Sequence, residues 1–177
     1  MQTLPRALTP ELLAFCQSIA PGTPVFIDSR PEPDAEPGYC FNNAARKAAR
    51  DGGAVAYGWA IWHLDGVYFE AEHHGIWRSH HGQLVDVSPQ FGNPPTILFL
   101  PDAAAVYDQR NFRSNLMEPQ AGIPLAVEFV DLAQTRNAII NRYRTGDKSA
   151  PDLNAEDQHE VDGITRRLQV LLEQLGY

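Results

Sequence analysis

Three residues able to do chemistry stand in one order along this chain. Cys40 follows Gly38-Tyr39, His74 lies in Glu70-Ala71-Glu72-His73-His74-Gly75-Ile76-Trp77, and Asp86 lies in Gly82-Gln83-Leu84-Val85-Asp86-Val87-Ser88-Pro89. Most chains contain these residue types, so the contexts carry the meaning. A thiol attacks a carbonyl only as thiolate. The unpaired amides of a helix's first turn favour negative charge, but by only about 0.3–1 kcal/mol, too little to ionise a thiol alone. A neighbouring imidazole must supply the counter-charge, and a carboxylate beside it can fix its tautomer. Cys40, His74 and Asp86 are therefore the catalytic candidates. His73 is the rival base, pointing to the opposite face of a strand. Asn43, one helical turn beyond Cys40, is placed to bind an oxyanion or a substrate carbonyl, or else to bond the loop backbone. Trp77 is a candidate for touching substrate, although Trp59, Trp62 and Trp77 all suit a sheet core.

Positioning these groups requires particular elements. Thr9-Pro10-Glu11 is a helix start, with a capping hydroxyl and Pro at the first helical position, and Pro21-Gly22 ends that helix. Cys16 falls among Leu12, Leu13, Phe15 and Ile19 at helical spacing, as a small core hydrophobe would. A short strand, 24–28, precedes a Pro-rich acidic loop from Ser29 to Gly38. A second helix opens at Cys40 and stops at Gly52-Gly53. From Val55 the texture is β. Strands are expected over 57–64, 67–77, 83–87 and 96–100, with turns at Asp65-Gly66 and His80-His81-Gly82. If the second of those turns has an odd number of residues, His74 and Asp86 share a face. Residues 102–122 are mixed. Leu125, Phe129, Leu132, Ile139 and Tyr143 then recur at helical spacing, and Thr145 to Asp152 breaks the run. A final helix carries Val161, Ile164, Leu168, Leu171, Leu172 and Leu175 as one apolar stripe. The reading is one α+β domain with antiparallel strands: a cysteine-enzyme-like core over 1–122 and a helical hairpin over 123–177. That hairpin packs on the core or on a second copy as a homodimer.

A nucleophilic Cys at a helix start, with His and Asp on successive strands, resembles papain-like and transglutaminase-like cysteine enzymes. His74-Gly75-Ile76-Trp77 followed by Leu84-Val85-Asp86-Val87-Ser88-Pro89 is similar to the His…Trp…Asp-Pro-Thr region of the transglutaminase type. Tyr39-Cys40-Phe41-Asn42-Asn43 is similar to the Cys-x-x-Asn of protein amino-terminal glutamine amidohydrolases. Residues 38–102 also resemble an uncharacterised bacterial family sharing the Cys-x-x-Asn, a Gly-Trp-x-Ile-Trp strand (Gly58 to Trp62 here) and a Glu-x-x-His region. Some relatives add a Cys-rich SecC-type zinc tail, absent here. The resemblance implies a papain-like or transglutaminase-like core and a thiol-dependent amidase or acyltransferase working through a thioester. The product class stays open among deamidase, amidase, peptidase and amine transfer, on a peptide, protein or small amide substrate.

Composition bounds the alternatives. With 14 Lys+Arg against 22 Asp+Glu over 177 residues, the formal charge is −8. Such a chain lacks the basic clusters that bind phosphate backbones, so no nucleic-acid partner is expected. No apolar run of about 18 residues exists, so no membrane span is expected. Met1 to Ala20 has neither an apolar signal core nor a small-residue cleavage site, and two cysteines make no secreted framework. The expectation is a cytoplasmic protein with free thiols. His63, His73, His74, His80 and His81 with Glu70 and Glu72 invite a metal reading, but adjacent strand residues diverge, so neither metal nor cofactor is expected. Two alternatives remain: a non-catalytic binding or assembly protein using its helical arm, and a metal-binding protein built on the His cluster.

Overall fold

The computed structural model describes residues 3–110, 113–144 and 151–177. In chain order its elements are α1 (Pro10–Ile19), β1 (Val25–Ser29), α2 (Cys40–Asp51), β2 (Ala54–Leu64), β3 (Tyr68–Arg78), β4 (Leu84–Asp86), β5 (Thr96–Pro101), β6 (Leu116–Pro119), α3 (Pro124–Arg142) and α4 (Ala155–Gln174). The fold is α+β, as the consecutive strands β2–β6 followed by the two helices α3 and α4 imply. Local chemistry sets several ends. Thr9 accepts from the Leu12 N–H at 3.2 Å to cap α1, and Asn154 accepts from the Asp157 N–H at 2.8 Å to cap α4. Gly52, at φ 76°, ends α2 in a conformation that side-chain-bearing residues avoid.

The chain divides into two compact units. One holds Leu4–Trp62 and Glu72–Tyr107. Strands pair in the order β2-β5-β1-β4-β3, and β2 also pairs with β3, which closes the sheet on itself as a barrel. Its core is Ile27, Ala60, Trp62, Ile76, Ile97 and Phe99. Helix α2 packs Ala44 against Val85, Val87, Val55 and Trp77. Leu12, Phe15 and Cys16 are the buried residues of α1. One pairing departs from the all-antiparallel expectation: β1 and β4 are parallel, with Asp28 opposite Val85 and Ser29 opposite Asp86. Parallel neighbours need a long crossover, and the intervening α2, β2 and β3 supply it. The sequence has no local signal for such a pairing.

The other unit holds His63–Ala71 and Asp108–Tyr177. Here β6 pairs antiparallel with residues Tyr68–Ala71 of β3. This strand falls in the stretch that the sequence left unassigned, since it is four residues long and none of them is fully buried. The apolar stripe of α4 is covered within the chain: Val161, Ile164, Leu168 and Leu171 pack with Ala126, Phe129, Val130, Ala133 and Ile139 of α3. Each fully buried side chain of this kind contributes about 1.5–3 kcal/mol. Most of the expected break at Thr145 to Asp152 lies outside the described residues. No helix among the described residues is long and apolar enough to cross a membrane.

Candidate active site

Cys40 is the first residue of α2, 9% exposed, and belongs to the barrel-bearing unit together with every group described below. Its cap residue, Tyr39, makes no side-chain hydrogen bond to the helix. The first-turn amides of α2 are thus not satisfied by the cap residue's side chain, and they favour negative charge beside Cys40. The loop that precedes the helix is pinned to it. Lys47 and Arg50 both pair with Glu32, the former at 2.8 Å, and Arg46 donates to the Asp34 carbonyl at 2.8 Å. The Glu32 N–H donates to the Val87 carbonyl, and the Arg30 N–H to the Asp86 carbonyl. The Pro-rich loop is therefore tied on one side to α2 and on the other to the chain around Asp86.

The turn between β3 and β4 has the parity that a shared face requires. Arg78 stands opposite Leu84 and Trp77 opposite Val85, so five residues, 79–83, form the turn and Asp86 stands across from Ile76. His74, two residues before Ile76, is on that face. Its Nε2–H donates to Asp86 Oδ1 at 3.1 Å, with the two residues 2% and 0% exposed. That bond fixes the tautomer of the neutral ring and leaves Nδ1 as the basic nitrogen. Nδ1 makes no conventional hydrogen bond, yet the Cys40 thiol is near enough to act on the ring. Burial opposes charge on His74, but Cys40 and Asp86 together outweigh it and hold the imidazole well above its ordinary range. The structure thus brings Cys40, His74 and Asp86 together.

His73 is placed elsewhere. Its Nε2 bonds the Ala105 carbonyl at 2.6 Å, and its ring is tilted against Phe41 and Trp59 with centroids 4.7 and 5.4 Å away. Phe41 in turn stacks on Tyr107. The other cysteine is also no competitor. Cys16 is fully buried, and desolvation pushes its thiol up to about 11.

The expected substrate contacts fare differently. Asn43 is 2% exposed and its amide is fully committed. Nδ2 donates to the Glu36 carbonyl at 2.8 Å and to Ser88 Oγ at 3.1 Å. Oδ1 accepts from the Glu36 N–H at 3.1 Å and from Arg46 at 2.7 Å. With both amide hydrogens taken, no donor remains for an oxyanion, and of the two roles open to Asn43 the structure shows the loop-bonding one. Trp77 donates from Nε1 to the Gly52 carbonyl at 2.8 Å, lies under Lys47 with Nζ 5.1 Å from the ring centroid, and packs with α2. It is built into the contact between helix and sheet.

Sequence reasoning overlooked Gln90. Its Nε2 donates to Asp86 Oδ2 at 2.8 Å, while the Ser88 N–H donates to Asp86 Oδ1 at 3.1 Å. Asp86, Ser88 and Gln90 alternate, and that period of two was the available signal. Of the histidines considered for a metal, His80 Nε2 accepts from the Gly53 N–H at 3.1 Å and His81 is exposed. Among the described residues no group of three His, Cys, Asp or Glu side chains is arranged to hold a metal ion.

No protein-family model, curated protein or solved structure matches this chain.

Proposed function

We propose that this protein is a cysteine-dependent amidase or acyltransferase, with Cys40 as nucleophile, His74 as general acid and base, and Asp86 as the group that orients His74. The observation that carries the reading is the division of the His74 ring. Nε2 is held by buried Asp86, and the remaining nitrogen is left to a thiol at a helix start. Within this reading Cys40 gives its proton to His74 Nδ1, and the thiolate attacks the carbonyl carbon of a carboxamide or peptide. The oxyanion is met by first-turn amides of α2, because Asn43 has no donor to offer. Collapse of the tetrahedral intermediate breaks the C–N bond, His74 delivers its proton to the departing amine, and a Cys40 thioester remains. Water then regenerates the thiol and releases a carboxylic acid, or an amine takes the acyl group.

The finer fold reading, a papain-like or transglutaminase-like core, rests on the same layout of a thiol-bearing helix against His and Asp strands. Two free thiols suit a reducing, cytoplasmic setting. The test is intact-mass analysis after incubation with glutamine-like carboxamides, peptide amides and thioesters. A hydroxylamine-sensitive acyl adduct mapping to Cys40, absent from Cys40→Ala, is expected. Absence of any adduct, from a chain whose Cys40 still alkylates, would overturn the proposal.

A further inference from the structure

Both oxygens of Asp86 are held by donors. Oδ1 receives the His74 Nε2–H and the Ser88 N–H, each at 3.1 Å, and Oδ2 receives the Gln90 Nε2–H at 2.8 Å. Asp86 is 0% exposed, so bulk water does not reach it to replace a missing donor. Among the described residues His74 is the only Lys, Arg or His in ion-pair contact with it. Half-buried Gln90 is itself fixed by its backbone. Its carbonyl accepts from the Asn93 N–H at 3.0 Å, in a turn where Gly92 and Asn93 take positive φ of 76° and 46°. Asn93 is the one non-glycine with positive φ among the described residues, a conformation that Asn tolerates better than most side chains. That turn sets Gln90 inward on Asp86 while its neighbour Phe91 is 79% exposed.

The torsion that turns a carboxylate about its Cβ–Cγ bond is soft and two-fold. Without a donor on Oδ2, the group can rotate and carry Oδ1 off the line to His74 Nε2. A Lys or Arg in place of Gln90 would hold Oδ2 but would compete for the negative charge that the imidazole needs. A neutral amide holds the oxygen and leaves that charge to His74. We propose that Gln90 is a positioning residue of the Cys40 site, an uncharged donor that fixes the rotation of Asp86 and, through it, the His74 ring. The proposal rests on Cys40 being the nucleophile and His74 its base, and it extends that set by one residue.

The test compares wild type, Gln90→Met, Gln90→Lys and a control, Gln83→Met, at an exposed position of the turn 79–83. One measurement is proton NMR of the His74 Nε2–H, which a buried bond to a carboxylate moves downfield and protects from exchange with water. The other is iodoacetamide labelling of Cys40 at about pH 6.5. Gln90→Met keeps the length and loses the donor. It should broaden or abolish the resonance and slow labelling by about three- to fivefold. Gln90→Lys restores a donor, so the resonance should persist, but its charge opposes the imidazolium and labelling should slow by about tenfold. Gln83→Met should match wild type in both. An unchanged resonance and rate in Gln90→Met overturn the positioning role even if the variant melts lower, because a purely structural glutamine moves stability alone. A Gln90→Lys chain that labels as fast as wild type overturns the requirement for an uncharged donor. A resonance that depends on Gln90, in a chain whose Cys40 labels as an ordinary thiol in every variant, supports the hold on His74 and overturns the nucleophile.

Discussion

Replacing His74 by Gln gives the most direct reading of the thiol's partner. The assay is iodoacetamide labelling at about pH 6.5, near the ordinary imidazole value, followed residue by residue in mass spectra. The two cysteines make the measurement self-controlled. Cys16 is fully buried and its thiol is pushed up to about 11, so it should stay unlabelled until the chain unfolds. Cys40 should label. A unit charge pair about 4 Å apart at an effective dielectric near 20 is worth about 4 kcal/mol. At about 1.36 kcal/mol per decade that is close to three decades in the population of the reactive ion pair. Burial of His74 prevents screening by solvent but also penalises its own charge, and it is the largest single influence on the ring.

The expected fall in Cys40 labelling rate for His74→Gln is therefore about two to three orders of magnitude. Asp86→Asn should reduce the rate less, by about tenfold, because the carboxylate acts on the thiol only through the imidazole. The Asn keeps an oxygen for the His74 Nε2–H, so the ring stays oriented. An unchanged rate in His74→Gln, combined with a collapse in His73→Ala, would mean that the wrong imidazole has been assigned. Unchanged rates in both would mean that Cys40 is an ordinary thiol.

The remaining expectations concern stability and alignment. Because the folded-state value of His74 lies above its unfolded one, its stabilisation is fully present below about pH 6.5 and is lost as pH rises through the folded value. The gap in urea stability between wild type and His74→Gln should accordingly be wide in acid and narrow in alkali; a gap that widens with pH would contradict the assignment. Gly75→Ala would set a Cβ 2.5 Å from Phe41 Cδ1, an overpacking worth about 1–3 kcal/mol. It displaces the residue next to Cys40, so the Cys40 labelling rate should fall more steeply than the melting temperature. Asn43→Ala strands the Glu36 N–H and the Ser88 hydroxyl, and should destabilise by about 2–4 kcal/mol in denaturant titration. Leu171→Ala, at a fully buried site of α4, should remove about 2–5 kcal/mol, whereas Val170→Ala, at 42% exposure on the outer face, should change little.

What was legible in the sequence was whatever short-range chemistry controls. Helix starts at Thr9-Pro10 and Cys40, the strand pair around the turn 79–83, and the apolar stripe of α4 all follow from spacing alone. The preference for His74 over His73 had another source, the resemblance of its placement before Trp77 and Asp86 to the transglutaminase type, because divergence of strand neighbours says only that the two rings face opposite ways. What escaped depends on partners far along the chain. The parallel pairing of β1 with β4 joins residues 28 and 29 to 85 and 86, across a helix and two strands. The amide of Asn43 finds its partners in a loop seven residues back and in Ser88, 45 residues on. Its sequence position, one turn beyond the proposed nucleophile, suits an oxyanion donor and a structural clamp equally well; only the occupancy of its two amide hydrogens decides between them.

That clamp explains how a site split between a helix and a sheet keeps its geometry. Cys40 rides on α2, whereas His74 and Asp86 ride on β3 and β4. Apolar packing of Ala44 on Val85 and Val87 holds the helix to the sheet, but packing is non-directional and leaves the helix free to slide. Asn43 restrains the N-terminal turn directionally, as Trp77 restrains the other end through the Gly52 carbonyl. Asn43 grips the Glu36 backbone on both its N–H and C=O, and it donates to Ser88. The N–H of that same Ser88 donates to the Asp86 oxygen that receives His74. A continuous path of directional bonds thus runs from the first turn of α2, through Asn43, Ser88 and Asp86, to the imidazole that faces Cys40. Each link is buried, so breaking one leaves an unsatisfied polar group, and the path resists displacement far more than an exposed one would. The asparagine three residues after the cysteine is in this way part of the alignment of the thiol with its proposed base. Asn43→Ala should therefore misalign Cys40 even where added osmolyte restores the fold, and wild-type labelling rates in that restored chain would refute the path.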